Sequence, residues 1–273
     1  MCRKRALAAT AQMPTPNLLI CGLAMGAMLT ASPALALSAA PAAAPVQAAA
    51  SAQAASGPNK ASPEVRAEAD RLGALTRAAF WASQVNADPK DAEAGIKLTA
   101  ALRTMGRYEE AAQAVDAVLV LQPQNIEALL ERARVAVAQG QGFYAIDPAR
   151  KAIVIAPKDW RAATLLAVAL DQAQRPDEAL EAHRKAMAIA PDNAVVLSNA
   201  AMFYASQGDK AGAETLLRKA VAEPDATLQV RQNLALVLGL EGKLAEAEKI
   251  ERENLPPQMA QANLDYFKAA GAR

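Results

Sequence analysis

The residue types that most often carry chemistry are scarce in this chain. His183 is the sole histidine among 273 residues, and the two cysteines, Cys2 and Cys21, both lie near the N-terminus. One histidine cannot supply the imidazole pair that many metal sites use. A nucleophile relying on an imidazole base would have to use His183, and no G-x-S-x-G elbow is present. Nor is there a G-x-x-x-x-G-K-[ST] loop to cradle a phosphate. Acid pairs such as Glu109-Glu110 fall at the start of an expected helix, where carboxylates favour the positive end of the macrodipole. His183 falls at a core-facing position and reads as a partly buried structural residue. The sequence therefore predicts no enzyme, no metal site and no cofactor, and leaves surface recognition as the chemistry to explain.

The elements that must present this surface are helices. Hydrophobic residues make up 53% of the chain but aromatics only 4%, and about half of the apolar content is alanine. Alanine has the highest helix propensity and lets neighbouring helices approach closely. No alternating run of β-branched residues bounded by turns suggests a strand. The prediction is an all-α protein.

A 34-residue period organises it. Pro89, Pro123, Pro157 and Pro191 keep this step, and Pro224 follows one residue early. Gly106, Gly140, Gly208 and Gly242 share it, with Gln174 in the missing place, and Ala111, Ala145, Ala179, Ala213 and Ala247 hold it without a gap. Each type has a physical role. Glycine closes a first helix, A, in a left-handed conformation. Alanine allows the second helix, B, to cross A closely, and proline prevents B from continuing. Thr99, Ala133, Ala167, Ala201 and Ala235 provide the small partners on helix A.

This pattern is that of the tetratricopeptide repeat (TPR), which implies a right-handed superhelical solenoid of helix-turn-helix repeats. The expected repeats are 92–125, 126–159, 160–193, 194–227 and 228–255, within a domain spanning 63–270. A degenerate helical unit over 64–88 precedes them, and a capping helix over 257–269, opened by Pro256-Pro257, closes the stack. In the second repeat Pro148 falls inside helix B. Asp147-Pro148 reads as a helix start, so this helix is expected to begin late or kink, with Phe143 and Tyr144 beside a longer turn.

The N-terminus reads as an address. Arg3, Lys4 and Arg5 precede an apolar stretch, Leu18 through Leu29, and Ala34-Leu35-Ala36 forms an Ala-x-Ala site. Residues 1–36 are expected to be a signal peptide cleaved before Leu37, placing the protein in the periplasm, where association with the outer membrane is possible. An uncleaved N-terminal anchor is the alternative. Ile20 before Cys21 departs from a lipobox, so a membrane tether requires lipidation of Cys21 or an uncleaved N-terminus. Residues 37–62, rich in alanine and proline, form an expected disordered linker. Without Arg3, Lys4 and Arg5 the chain has 26 basic and 28 acidic residues, net −2. No basic stripe points to nucleic acid, and no small-molecule substrate is indicated.

The side chains of helices A should line the inner, concave face. In this register they are Ile96, Arg103, Leu130, Arg134, Val137, Thr164, Val168, Asp171, Ser198, Asn199, Met202, Gln232, Asn233 and Leu236. The mixture suits an extended or helical segment of a protein partner. Asn199 and Asn233, one repeat apart, could bond its backbone. Lys97, followed by Glu131 and Leu165 at equivalent places, does not make the basic clamp that TPR chaperone adaptors use for a C-terminal carboxylate.

A narrower likeness lies in Val230-Arg-Gln-Asn-Leu-Ala-Leu-Val-Leu-Gly-Leu-Glu-Gly-Lys-Leu-Ala-Glu-Ala-Glu-Lys249, continued by Asn254-Leu-Pro-Pro257 and Ala262-Asn-Leu-Asp-Tyr266. With Phe80-Trp81 and Asn86-Ala-Asp-Pro-Lys90 upstream, roughly residues 75–268 resemble the TadD-type Flp pilus assembly proteins. The resemblance implies a scaffold or pilotin in a tight-adherence (Tad/Flp) pilus secretion system, with the secretin or another envelope component as partner. A general periplasmic TPR adaptor unrelated to pili is the alternative. The family offers no catalytic residues to carry over.

Overall fold

The computed structural model describes residues 60–271, so the expected signal peptide, nearly all of the linker, Cys2 and Cys21 lie outside the described residues. Within them are thirteen α-helices and no strand. They are α1 (Pro63–Ala69), α2 (Ala74–Ala87), α3 (Ala92–Thr104), α4 (Tyr108–Leu121), α5 (Ile126–Ala138), α6 (Gly142–Ile155) and α7 (Trp160–Gln172). The rest are α8 (Pro176–Ile189), α9 (Ala194–Ser206), α10 (Lys210–Ala222), α11 (Leu228–Leu240), α12 (Leu244–Asn254) and α13 (Pro257–Gly271). Helices A are α3, α5, α7, α9 and α11; each packs on the following helix B, the first four also pack on the next helix A, and α11 packs on α13.

Local chemistry fixes both ends of each helix A. Asp91, Asn125, Asp159, Asn193 and Thr227 are N-caps whose side chains accept backbone N–H groups of the first turn. They otherwise lack intrahelical acceptors. At the other end the backbone turns left-handed, at φ +74°, +71°, +89° and +81° for Gly106, Gly140, Gly208 and Gly242. In all five repeats the N–H two residues beyond the helix cap returns to a carbonyl in the last turn. An example is Arg107 donating to Leu102 at 3.0 Å. This is the closing bond of a Schellman turn.

The core is built on the paired small residues. Thr99, Ala133, Ala167, Ala201 and Ala235 on helices A are fully buried, as are Ala111, Ala145, Ala179, Ala213 and Ala247 on helices B. Larger side chains such as Leu102, Leu170, Leu217 and Leu238 fill the space around them. Gly142 is needed for another close approach. A Cβ there would lie 2.4 Å from the Ala169 carbonyl oxygen and 2.5 Å from Gln172 Cβ.

The two ends of the stack are closed differently. At the C-terminal end α13 lays Phe267 on Gly239, where a Cβ would come within 2.4 Å of the ring, and Leu264 joins the same buried cluster. At the N-terminal end the fastening is polar. The buried Arg66 guanidinium of α1 donates to Asp91 at 2.5 Å and Glu93 at 2.8 Å, and lies 5.3 Å from the centre of the Trp81 ring. Burial alone would raise the pKa of Asp91, but hydrogen bonds from Arg66, the Ala94 amide and Lys60 outweigh it and hold the carboxyl below its usual value.

The expected late start of the second helix B is not found. Helix α6 begins at Gly142, in step with α4 and α8, and runs through Pro148. Proline removes one N–H bond, to the Tyr144 carbonyl. Buried Ala145, Ile146, Ala149 and Ala152 hold the helix against its neighbours across that gap. Phe143 and Tyr144 therefore lie in its first turn, not in a lengthened loop.

Candidate protein-binding face

The row of helices A is the face on which the sequence places its candidate residues, and the structure divides those candidates into two groups. Leu130, Val137, Thr164, Val168, Ser198 and Met202 are buried. Leu130, Val137, Val168 and Met202 belong to apolar clusters of the stack. Thr164 donates its hydroxyl to the Trp160 carbonyl within α7. The physical reason is that consecutive helices A also pack on one another, which covers side chains that helical periodicity alone assigns to the inner face. A charge at Leu130 or Met202 would disrupt the fold rather than probe binding.

Ile96, Arg103, Arg134, Asp171, Asn199, Gln232, Asn233 and Leu236 remain partly exposed. Several are engaged within the fold. Arg103 and Arg134 both donate to Glu131, at 3.1 and 2.6 Å, so this nearly buried carboxylate sits between two guanidinium groups. Asn199 donates to the Val195 carbonyl at 2.9 Å. Asn233 donates to Ser198 Oγ at 2.9 Å and accepts from Gln229 at 3.0 Å. The two asparagines thus already use hydrogen-bonding capacity expected to serve a partner. The Asp171 carboxylate has no ion pair or hydrogen bond among the described residues, and burial raises its pKa. Ile96 and Leu236 lie at the edges of apolar clusters and keep part of their surface open.

His183 is not part of this face. Its ring is buried on α8, 4.9 Å from that of Phe203, and burial lowers its pKa to about 4. Among the described residues no group of three metal-ligating side chains comes together. No described helix is long and apolar enough to cross a membrane.

Comparison with known proteins agrees with this architecture. The family described as "Tetratricopeptide repeat" matches residues 172–235, from the end of α7 into α11. A solved tetratricopeptide repeat protein from Parabacteroides merdae superposes with a TM-score of 0.66 at 16% identity, covering 81% of this chain and 89% of its own. The fold is a TPR solenoid. A thermophilic TPR protein from Thermus thermophilus gives a TM-score of 0.58 at 22% identity, covering 65% of this chain and 98% of that one. MamA from Desulfovibrio magneticus gives 0.50 at 22% identity, covering 58% and 90%. These likenesses concern the fold. No curated protein matches the chain.

Along the helix-A row the backbone groups are bonded within each helix, so the row presents side chains. Lys97 is no exception to the missing carboxylate clamp, since it is ion-paired with Asp70. The N-caps and the Arg66 network are what sequence reasoning missed. The caps were readable, as Asp, Asn or Thr recurs at a 34-residue step. Arg66 was not, because its carboxylate and side-chain amide partners lie 18 to 27 residues away and its sequence neighbourhood is ordinary.

Proposed function

We propose that this protein is an exported, non-enzymatic scaffold that holds a segment of another protein along its helix-A face. The carrying observation is the continuous row of five helices A. Its partly exposed side chains combine apolar edges at Ile96 and Leu236 with amide and carboxylate groups at Gln232 and Asp171. Apolar contact would supply affinity, and the polar groups would set the register of the bound segment. The finer reading is assembly of a Tad/Flp pilus secretion system in the periplasm. It is supported by the residues of α11, α12 and the start of α13 that resemble the TadD-type proteins, and by the signal-like N-terminus.

Affinity capture with the tagged protein from detergent-solubilised envelope tests both levels. Recovery of the secretin or neighbouring pilus components, lost with Ile96→Glu and Leu236→Glu, is expected. Recovery of unrelated envelope proteins with the same sensitivity would retain the scaffold and favour a general periplasmic adaptor. Capture indifferent to both substitutions would overturn the helix-A reading.

A further inference from the structure

The first turn of α6 departs from the turns on either side of it. One repeat earlier α4 carries Glu109-Glu110 at these positions, and one repeat later α8 carries Asp177-Glu178. Helix α6 carries Phe143-Tyr144 instead. The position is a surface position in this part of the stack, so the rings add nothing to the core. Phe143 is 70% exposed and Tyr144 61%, and they meet edge to face with centroids 5.6 Å apart. Adjacent exposed aromatics of this kind are uncommon on a surface without a partner.

Charge around the rings differs correspondingly. An open depression of about 560 Å³ beside them is lined by Leu119 and Ile146 and by the cations Arg132, Arg150, Lys151 and Arg175. Arg132 pairs with Asp116 at 2.8 Å and Lys151 with Asp147 at 2.7 Å. Glu178 alone serves both Arg150, at 3.3 Å, and Arg175, at 2.5 Å. Four cations therefore share three carboxylates. Replacing the acid pair of the neighbouring repeats with two rings leaves this surface one negative charge short. Exposed ion pairs of this type are weak, so an arriving carboxylate can take over one of the shared arginines.

We propose that the Phe143–Tyr144 turn is a second docking surface, separate from the helix-A row, for a protein segment presenting an acidic side chain beside apolar ones. The apolar side chains cover the rings and the open part of Leu119, while the carboxylate engages Arg150 or Arg175. Aromatic and arginine side chains are the residue types that most often dominate such contacts.

The double substitution Phe143→Glu, Tyr144→Glu restores the acid pattern of the flanking repeats and so removes the surface while suiting the fold. A random-peptide phage library panned on the immobilised full chain, with the double variant as counter-target, identifies what the surface selects. The expected result is enrichment of peptides combining Asp or Glu with Leu, Ile or Phe, whose binding falls about tenfold or more on the variant, with no loss of melting temperature. Absence of variant-sensitive peptides, or enrichment of basic ones, overturns the proposal. So does a clear fall in the variant's melting temperature, which would make the rings structural. Co-sedimentation of the wild type alone with phosphatidylglycerol vesicles, without peptide enrichment, overturns it in favour of a membrane contact.

Discussion

At Gln174 the backbone takes φ +59°, a conformation that the other four repeats give to glycine. The Schellman bond is kept, with Arg175 N–H donating to the Leu170 carbonyl at 2.9 Å, so glutamine bears steric strain without changing the turn. A β-carbon in this region costs about 1–2 kcal/mol, partly offset by the greater unfolded-state freedom of glycine. Gln174→Gly should therefore stabilise the fold by about 0.5–1 kcal/mol, read as a higher urea midpoint. His183 makes stability depend on pH. The unfolded chain takes up its proton near pH 6.5, whereas burial delays uptake in the fold to about pH 4. Its contribution is complete above pH 6.5 and is lost as pH falls towards 4, by up to about 3 kcal/mol. His183→Leu, matching Leu217 one repeat on, should remove that loss, measured by thermal unfolding in acidic and neutral buffer. Glu251 occupies the same position two repeats on, and its burial raises the carboxyl pKa despite a hydrogen bond from Asn263. Its contribution therefore runs the other way, present at low pH and lost as pH rises through the raised pKa.

Helices were legible where the 34-residue period reports on local geometry. The turn at Gly106, the crossing at Ala133 and Ala145, and the cap opened by Pro257 each follow from a residue type with one physical role. Pro148 does not break α6, because the tertiary packing of the buried face outweighs one missing hydrogen bond, and local sequence does not report that packing. The candidate face misled in part for a related reason. Helical spacing says that Leu130 and Met202 point inward, but not that the next helix A covers them. The C-terminal cap rests on Phe267, 3% exposed and set against Gly239. Phe267→Ala should cost about 3–5 kcal/mol of local stability. The loss should appear first as faster hydrogen exchange in α11, α12 and α13, because each repeat is stabilised mainly by its neighbours.

For the molecule as a whole, the solenoid has one apolar end and one polar end. Arg66→Ala leaves Asp91 nearly buried with only the exposed Lys60 as ion-pair partner. Removing one member of such a pair costs about 3–5 kcal/mol, so α1 and α2 should become protease-sensitive while α3 to α13 remain resistant. Between these ends the row of helices A is the proposed working surface. Photo-crosslinking from single benzoylphenylalanine substitutions tests it most directly. Positions Gln232 and Leu236 on α11 are compared with the exposed helix-B positions Lys185 and Thr215. The account predicts partner adducts from Gln232 and Leu236 and none from Lys185 and Thr215. Adducts confined to Lys185 and Thr215 would contradict it.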